Sequence, residues 1–387
     1  MVLGVFNYGY WFTNVVHADR VDNMFTTGGN KAHSARKRML SNIYSKSVVT
    51  TSQALLAQMK VILHGRFLPY LENTFSKVED PGVFNVYALL SATTMDVVTG
   101  YIFGLKSSSN LISDPEKLDW FLDLYNSRRS FNFWPQEFPG LTSFLERWFG
   151  FRLVPKWVDE ANGQIEAYTK MMCEGAARAM QEKPSSIVDT PVVYEQLSNA
   201  LAKEAKKQGT GQENLEAEIA SEMLDHFAAG FDTSGITLTY VIHELCRHPK
   251  IQARLQDELR TLSPSLTPAS APEIPDGKAL DALPLLHAVI WETLRLHPAI
   301  PGPQPRVTPP QGCRLGHEDG SYYVPGGVRV SASAGLLHLN EKVYERANDW
   351  LPDRWLNMEQ MGEEKRKNME SRWFWAFGRS VQPAQTF

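Results

Sequence analysis

The sequence predicts a mainly α domain with a small β portion toward its C-terminus, and three observations carry that expectation. Apolar residues recur at helical spacing through most of the first two thirds of the chain. After His297-Pro298 the pattern changes to proline-rich, extended sequence with short alternating runs. No internal repeat and no linker sets off a second unit, so residues 1–387 are expected to form one domain. A length prior of about 150 residues per domain would also allow two or three.

Taken in order, Lys31–Val49 reads as a helix that is basic on one side (His33, Arg36, Lys37, Arg38) and apolar on another (Met39, Leu40, Ile43). Thr51–Asn73 and Val86–Leu105 repeat Leu, Met, Val and Phe at helical spacing, and Pro81-Gly82 punctuates the gap between them. Phe131–Trp157 is crowded with aromatic residues, and Pro135, Pro139 and Pro155 forbid one continuous helix there. That stretch is either a packed connection between helices or an apolar surface that touches a membrane or admits a greasy substrate. Ile165–Gln181 and Val192–Lys207 read as helices, with Lys203, Lys206 and Lys207 as a solvated face. Glu213–Arg247 is a long helix, apolar on nearly all sides from Met223, and His248-Pro249 stops it. Ile251–Leu262 is a charged amphipathic helix, Ser263–Asp276 a surface loop, and Leu283–Leu296 a helix that stops at His297-Pro298. Beyond it, Pro301–Pro310 is extended. Ser321–Val324 and Val328–Ser333 are short strands joined as a hairpin through Pro325-Gly326-Gly327. The remainder up to Phe377 is loop-like and aromatic.

Composition excludes several classes. A formal net charge of -4 argues against a nucleic-acid binder that works by neutralising phosphates. Three cysteines (Cys173, Cys246, Cys313) are too few for a disulfide framework, and their spacing fits no zinc motif. The opening run Met1–Val16 is uncharged but interrupted by Asn7, Tyr8, Tyr10 and Asn14. It falls short of the roughly 20 apolar residues of a spanning helix and lacks the basic leader of a signal peptide. The chain as written is therefore expected to be soluble or peripherally attached.

Three segments could carry chemistry. Inside the long helix, Ala228-Ala229-Gly230-Phe231-Asp232-Thr233-Ser234 places a glycine, an acid and a hydroxyl where an apolar helix would not choose them. Glycine costs a helix interior about 1 kcal/mol against alanine, and a buried acid costs more unless paired. The segment is either a kink with satisfied polar groups or a small-ligand pocket with a proton path. Glu292 and Arg295, at i and i+3, can pair on one helix face among apolar neighbours. A buried pair needs further partners, and Pro352-Asp353-Arg354-Trp355 offers a second guanidinium.

These segments in this order, with Trp373-Phe374-Trp375-Ala376-Phe377-Gly378 after them, resemble the cytochrome P450 family, and in particular its filamentous-fungal members. Leu245-Cys246-Arg247-His248-Pro249, with Gln252, Leu255 and Glu258 next, is similar to the segment after the central helix in eukaryotic members. The resemblance runs from about His33 to Gly378 and implies a P450-like helical domain, incomplete at both ends, with a divergent tail 379–387. It implies heme b as cofactor. Asp232 and Thr233 would deliver protons to iron-bound dioxygen, with Gly230 leaving room, and Phe377 would open the haem-binding loop. Glu292, Arg295 and Arg354 would form a structural set. Lys37, four residues after His33, and Arg306 would face haem propionates, or are ordinary surface charges.

The implied function is a haem-thiolate monooxygenase that inserts one oxygen atom from O2 into an apolar small molecule, in fungal secondary metabolism or xenobiotic oxidation. No flavin or dinucleotide motif occurs, so electrons would come from NADPH through a separate NADPH-cytochrome P450 reductase. Members of the family reside at the endoplasmic reticulum membrane; this chain, with no anchor as written, is expected to be soluble or to touch it peripherally. The family's iron ligand is a cysteine in a Phe-x-x-Gly-x-Arg-x-Cys-x-Gly loop. After Gly378 the sequence departs from that pattern, and no cysteine occurs beyond Cys313, so no metal ligand is assigned. The alternative is a non-catalytic remnant of the family.

Overall fold

A computed structural model of the chain describes residues 4–5, 21–27, 29–75, 84–131, 133–208, 215–316 and 321–378. The readings of Met1–Val16 apart from Gly4–Val5, of Pro81-Gly82, of the start of the long helix at Glu213 and of the tail 379–387 lie outside the described residues. The chain divides into two compact units, Asn7–Asp232 and Met1–Phe6 with Thr233–Phe387. The described structure is mainly helical with a few short strands, as the sequence predicts.

In the unit Asn7–Asp232, the basic stretch forms two helices instead of one, Asn30–Leu40 and Lys46–Thr51. Serine and asparagine divide them, because their short polar side chains bond the local backbone in place of the helix. Ser45 Oγ, for example, donates to Asn42 O at 2.7 Å. Ser52 then caps the helix Gln53–Ile62, which runs through a π-turn, Leu63–Phe67, into the helix Leu68–Phe75. The π-turn aims Arg66 at Asp96.

The helix Val86–Phe103 is the centre of this unit. Asn85 caps its start, and Gly104, at φ +77°, ends it. A Cβ at Gly104 would lie 2.2 Å from Asp189 O, so only glycine fits that turn. By length and composition this helix could cross a membrane, but most of it is buried in a core it shares with Phe121, Ile165 and Phe227. Polar groups in its interior are answered locally. Thr94 and Thr99 bond the carbonyls four residues earlier. The fully buried Asp96 accepts from Arg66, Ser109 Oγ and the backbone N–H groups of Leu111 and Ile112.

The aromatic stretch forms the helices Phe133–Glu137 and Pro139–Phe149 and leads into the helix Lys156–Glu182. It is a surface more than a packed connection: Trp148 is 71% exposed, Phe149 70% and Phe151 59%. Lys203, Lys206 and Lys207 lie on the helix Val192–Gln208, and all three are exposed. The long helix, Leu215–Arg247, buries Met223, Leu224, Phe227, Ala228 and Phe231. From Met223 onward the helix is expected to be apolar on nearly all sides; the acid Asp225 is buried there as well, while Tyr240 and Ile242 are exposed.

In the other unit, the helix Pro249–Leu259 delivers Glu258 to the N-terminus of the helix Pro284–Leu296. There its carboxylate accepts the otherwise orphaned N–H groups of Leu285 at 2.9 Å and Leu286 at 2.8 Å. The expected hairpin is not formed. Strand β4 (Tyr322–Val324) pairs with β3 (Cys313–Leu315), whereas β5 (Arg329–Ser333) pairs with β2 (Pro303–Val307). β1 (Gly4–Val5) completes the antiparallel order β1-β2-β5. The Pro325–Gly327 segment is pinned to the end of β2 instead: Thr308 Oγ1 donates to Pro325 O and accepts from Val328 N–H. A Cβ on Gly326 would lie 2.1 Å from Pro310 O, so the chain folds back there and the strands separate into two sheets. Short helical turns, among them Ala334–Leu337, Pro352–Trp355 and Glu363–Lys367, replace the loop expected after Ser333.

Candidate functional site

Asp232 lies on the long helix, two turns beyond Asp225, among aromatic side chains. Phe231 meets Tyr125 edge-on at 4.9 Å and Phe121 at 5.4 Å. Gly230 sits where a Cβ would come within 3.0 Å of Val98, so the glycine lets the helices Leu215–Arg247 and Val86–Phe103 approach closely. Thr94 Oγ1 uses that approach to donate to Phe231 O at 3.0 Å.

The Asp232 carboxylate is ion-paired to Arg129, Oδ2 to Nη2 at 2.6 Å, and its Oδ1 is buried with no hydrogen-bond partner among the described residues. Arg129 comes from the short turn Arg128–Phe131 at the end of the helix Pro115–Ser127. The guanidiniums of Arg128 and Arg129 each lie 4.8 Å from the centre of the Tyr125 ring. Burial, with the nearby Asp232 charge second, raises the Tyr125 phenol to about 12. Burial lowers Arg128 to about 10. Arg129 is pulled down by burial, but its hydrogen bond to Asp232 and that residue's charge outweigh this and raise it. The sequence does not reveal Arg129: the connection in which it sits is irregular, and no spacing rule joins positions 129 and 232. Thr233 is next along the same helix, and its carbonyl accepts from Thr237 Oγ1 at 2.9 Å.

Glu292, Arg295 and Arg354 are brought together in the other unit. Glu292 and Arg295 are fully buried. Arg295 grips Glu292 as a fork, Nε to Oε2 at 2.9 Å and Nη2 to Oε1 at 2.8 Å. Its remaining donors reach His338 O, Ala347 O and Asp349 O at 2.7 to 2.9 Å. Glu292 further accepts from Arg354 Nε at 3.0 Å, Leu351 N–H at 2.8 Å and Trp355 Nε1 at 2.8 Å. A buried carboxylate and guanidinium are tolerated when every donor and lone pair is answered, and here they are.

His338, on which the sequence gives no signal, ties this hub to the aromatic segment Trp373–Gly378. Its Nε2 accepts from Trp375 N–H at 2.7 Å, so its Nδ1 carries the proton and donates to Arg295 O at 2.8 Å. Burial holds its pKa near 4, in keeping with a neutral ring. Phe374 stacks on His338 at 5.3 Å and on Trp291 at 4.6 Å.

The remaining expected residues lie apart from these clusters. Lys37 is exposed on Asn30–Leu40 and makes no ion pair among the described residues. Its neighbour Arg36 instead binds Glu222 at 2.6 Å. Arg306, on β2, turns its Nη1 to Pro305 O at 2.8 Å. Phe377 is 75% exposed.

Haem held by a thiolate is the group the resemblance implies, and the donor set does not fit it. Cys246 is exposed on the long helix. Cys173 is buried, and burial pushes its thiol up to about 12, far from a thiolate at neutral pH. Cys313 is buried at the start of β3. None lies near Trp373–Gly378 in sequence, and the residues after Gly378 contain no cysteine. No group of three or more His, Cys, Asp or Glu suited to a metal occurs among the described residues.

Comparison with known proteins places these features in a family. The model of the family described as Cytochrome P450 matches residues 7–379. The chain is similar to the cytochrome P450 monooxygenase hkm5 of Aspergillus hancockii, 26% identical over 359 residues, covering 92% of this chain and 64% of the relative. It is similar to the cytochrome P450 monooxygenase avaI of Aspergillus versicolor, 26% identical over 332 residues, covering 84% of this chain and 69% of the relative. Over a shorter stretch of 129 residues it is 40% identical to the cytochrome P450 monooxygenase tazI of Aspergillus terreus, covering 33% of this chain and 24% of the relative. The chain thus spans roughly two thirds of the length of the first two of these curated relatives.

Proposed function

Because the chain belongs to the cytochrome P450 family, we propose that its fold serves the insertion of one oxygen atom of O2 into an apolar small molecule. Electrons would reach it from NADPH through a separate reductase, and the setting would be fungal secondary metabolism or xenobiotic oxidation. The observation that carries the reading is the long helix with Asp232 and Thr233 adjacent, the acid tethered to Arg129 at 2.6 Å. In this reading Asp232 and Thr233 form the proton-handling pair, and Arg129 fixes the direction of the carboxylate. Glu292, Arg295 and Arg354 have a structural role and touch no substrate. The exposed aromatic surface around Trp148, Phe149 and Phe151 supports an apolar substrate or a peripheral lipid contact.

A second reading is favoured by the donor set: a non-catalytic member of the family that keeps the helical frame without the iron-binding sulfur. One experiment separates them. The purified 387-residue chain is titrated with hemin, reduced and exposed to carbon monoxide, and its Soret band is recorded. The red-shifted band of a thiolate complex supports the monooxygenase reading. Absence of stoichiometric haem uptake, or a band without that shift, leaves the non-catalytic reading standing.

A further inference from the structure

The segment Val21–Thr27 forms a turn closed on itself. Asn23 N–H donates to Thr26 Oγ1 at 2.9 Å, Thr26 N–H to Asn23 Oδ1 at 3.0 Å, and Thr27 N–H to Asn23 O at 2.9 Å. Asn23 and Thr26 are fully buried. The part of the long helix that lies in the same unit fastens this turn through three neighbouring residues. Ser221 Oγ donates to Val21 O at 3.0 Å, and Ser221 O accepts from Asn23 Nδ2 at 3.4 Å. Glu222 Oε2 accepts from Met24 N–H at 3.0 Å, and Asp225 accepts from Phe25 N–H. Two consecutive backbone donors of the turn are thus met by two carboxyls from adjacent turns of the helix.

The charges around these carboxyls do not balance. Glu222 is 2% exposed and Asp225 5%. Among the described residues the cation that reaches them is Arg36, from Asn30–Leu40, at 2.6 Å from Glu222; it also lies 3.9 Å from Glu218, a partly exposed acid on the long helix. His226 Nε2 lies 3.9 Å from Glu222, buried and without a hydrogen bond among the described residues, while its Nδ1 is 3.0 Å from Tyr44 Oη. Tyr44 stacks on that ring at 5.3 Å, and Tyr101, from Val86–Phe103, meets Tyr44 edge-on and donates to Ile43 O. Asp22 is exposed on the turn itself. Among the described residues one guanidinium faces two carboxylates removed from water and cannot neutralise both, so the closed arrangement favours keeping a proton on one of them. Separation of the turn from the helix would return both acids to solvent, where neither keeps a proton above about pH 4.

We propose that Val21–Thr27 is a proton-controlled clasp: when closed, Glu222 and Asp225 share one bound proton, and opening releases it. The titration behaviour of the groups agrees with the geometry. Burial, and secondly the neighbouring Glu222, raises Asp225 to about 8. Burial also raises Glu222 against the opposing pull of Arg36. Burial lowers His226 to about 4, which leaves it neutral through the window that matters. Linkage gives the sign. Between the ordinary carboxyl value, about 4, and the closed-state value of about 8, the closed clasp binds more protons than the open one. Rising pH therefore favours opening, about tenfold per unit, and the effect levels off above the closed-state value.

Amide hydrogen exchange of the full chain, read on peptides that cover residues 21–27, tests the clasp. Protection corrected for intrinsic exchange should fall about tenfold per pH unit between about pH 6 and pH 8. Peptides from Val86–Phe103 should hold their protection over the same range. Asp225→Asn keeps an oxygen acceptor for Phe25 N–H and carries no charge, so its clasp protection should stay constant with pH. Constant protection in the unsubstituted chain, the same fall in Asp225→Asn, or a parallel fall in Val86–Phe103 would each overturn the proposal.

Discussion

Replacing Glu292 with alanine isolates the energetics of the buried hub. Glu292 is the carboxylate shared by Arg295, which is fully buried, and Arg354, whose side chain is 8% exposed. In Glu292→Ala the Arg295 fork loses both of its carboxylate bonds, and Arg354 Nε, Leu351 N–H and Trp355 Nε1 lose their acceptor. Two guanidiniums then remain in the core with backbone carbonyls as their acceptors. Removing one partner of a buried ion pair costs about 3–5 kcal/mol, a large part of the roughly 5–15 kcal/mol that separates folded from unfolded protein. At about 2–4 °C per kcal/mol for a unit of some 150–250 residues, the midpoint of thermal unfolding should drop by on the order of 10 °C. Arg354→Ala should cost less, about 1–3 kcal/mol, because Glu292 keeps the Arg295 fork, Leu351 and Trp355.

The coupling between the two sites is the sharper test. In the Glu292→Ala background Arg354 has no carboxylate to meet, so removing it there should cost less than in the unsubstituted chain. The difference should fall within the roughly 0.5–3 kcal/mol typical of residues that share one network. Circular dichroism followed through thermal and urea unfolding of the four proteins of this cycle supplies every value. A loss of under about 1 kcal/mol in Glu292→Ala, or additive losses in the double variant, would refute the argument that charge compensation holds this region together.

The other unit supplies two further outcomes. Arg129→Ala and Asp232→Asn should couple by about 1 kcal/mol or less, since the Arg129 side chain is 38% exposed and the pair is screened by solvent. That coupling should shrink in high salt, and a salt-independent value would contradict a solvent-screened pair. Serine at Trp148, Phe149 and Phe151 together should leave the unfolding midpoint nearly unchanged, because these side chains are mostly exposed, and should lower co-sedimentation with phosphatidylcholine vesicles. Unchanged vesicle binding would remove the lipid-contact role from that surface.

How legible each element was in the sequence depended on how local its cause was. The helices Val86–Phe103 and Pro284–Leu296 arise from apolar periodicity, and the stop of the second at His297-Pro298 is a short-range signal too; the apolar pattern of the first runs on to Leu105, past the actual end at Gly104. Glu292 and Arg295 are legible as a pair because i and i+3 share a helix face. The division of the basic helix at Ser41–Ser45 is written in serine and asparagine but outweighed by the apolar pattern around them. The hairpin between β4 and β5 fails because Pro-Gly-Gly reports a turn and not which strands it joins. Thr308 makes that choice, with a hydroxyl that bonds both sides of the turn. Arg129 and His338 are illegible for a related reason. Each acts from an irregular segment on a partner far away in sequence, where no period links them.

The long helix shows how one polar stripe can do two jobs. Asp225 and Asp232 are seven residues apart, close to two full turns, and so share a helix face. Asp225 accepts a backbone N–H and has Glu222 as its charged neighbour, so burial is relieved by a proton. Asp232 has the Arg129 guanidinium at 2.6 Å, so its charge is met by a cation. The sequence supplies the same residue at both positions, and the connecting segments, one contributing only backbone and the other an arginine, give the two acids different chemistry. A cation installed near Asp225 should therefore abolish the pH dependence of the clasp without breaking it, because the proton would no longer be needed to offset the second carboxylate.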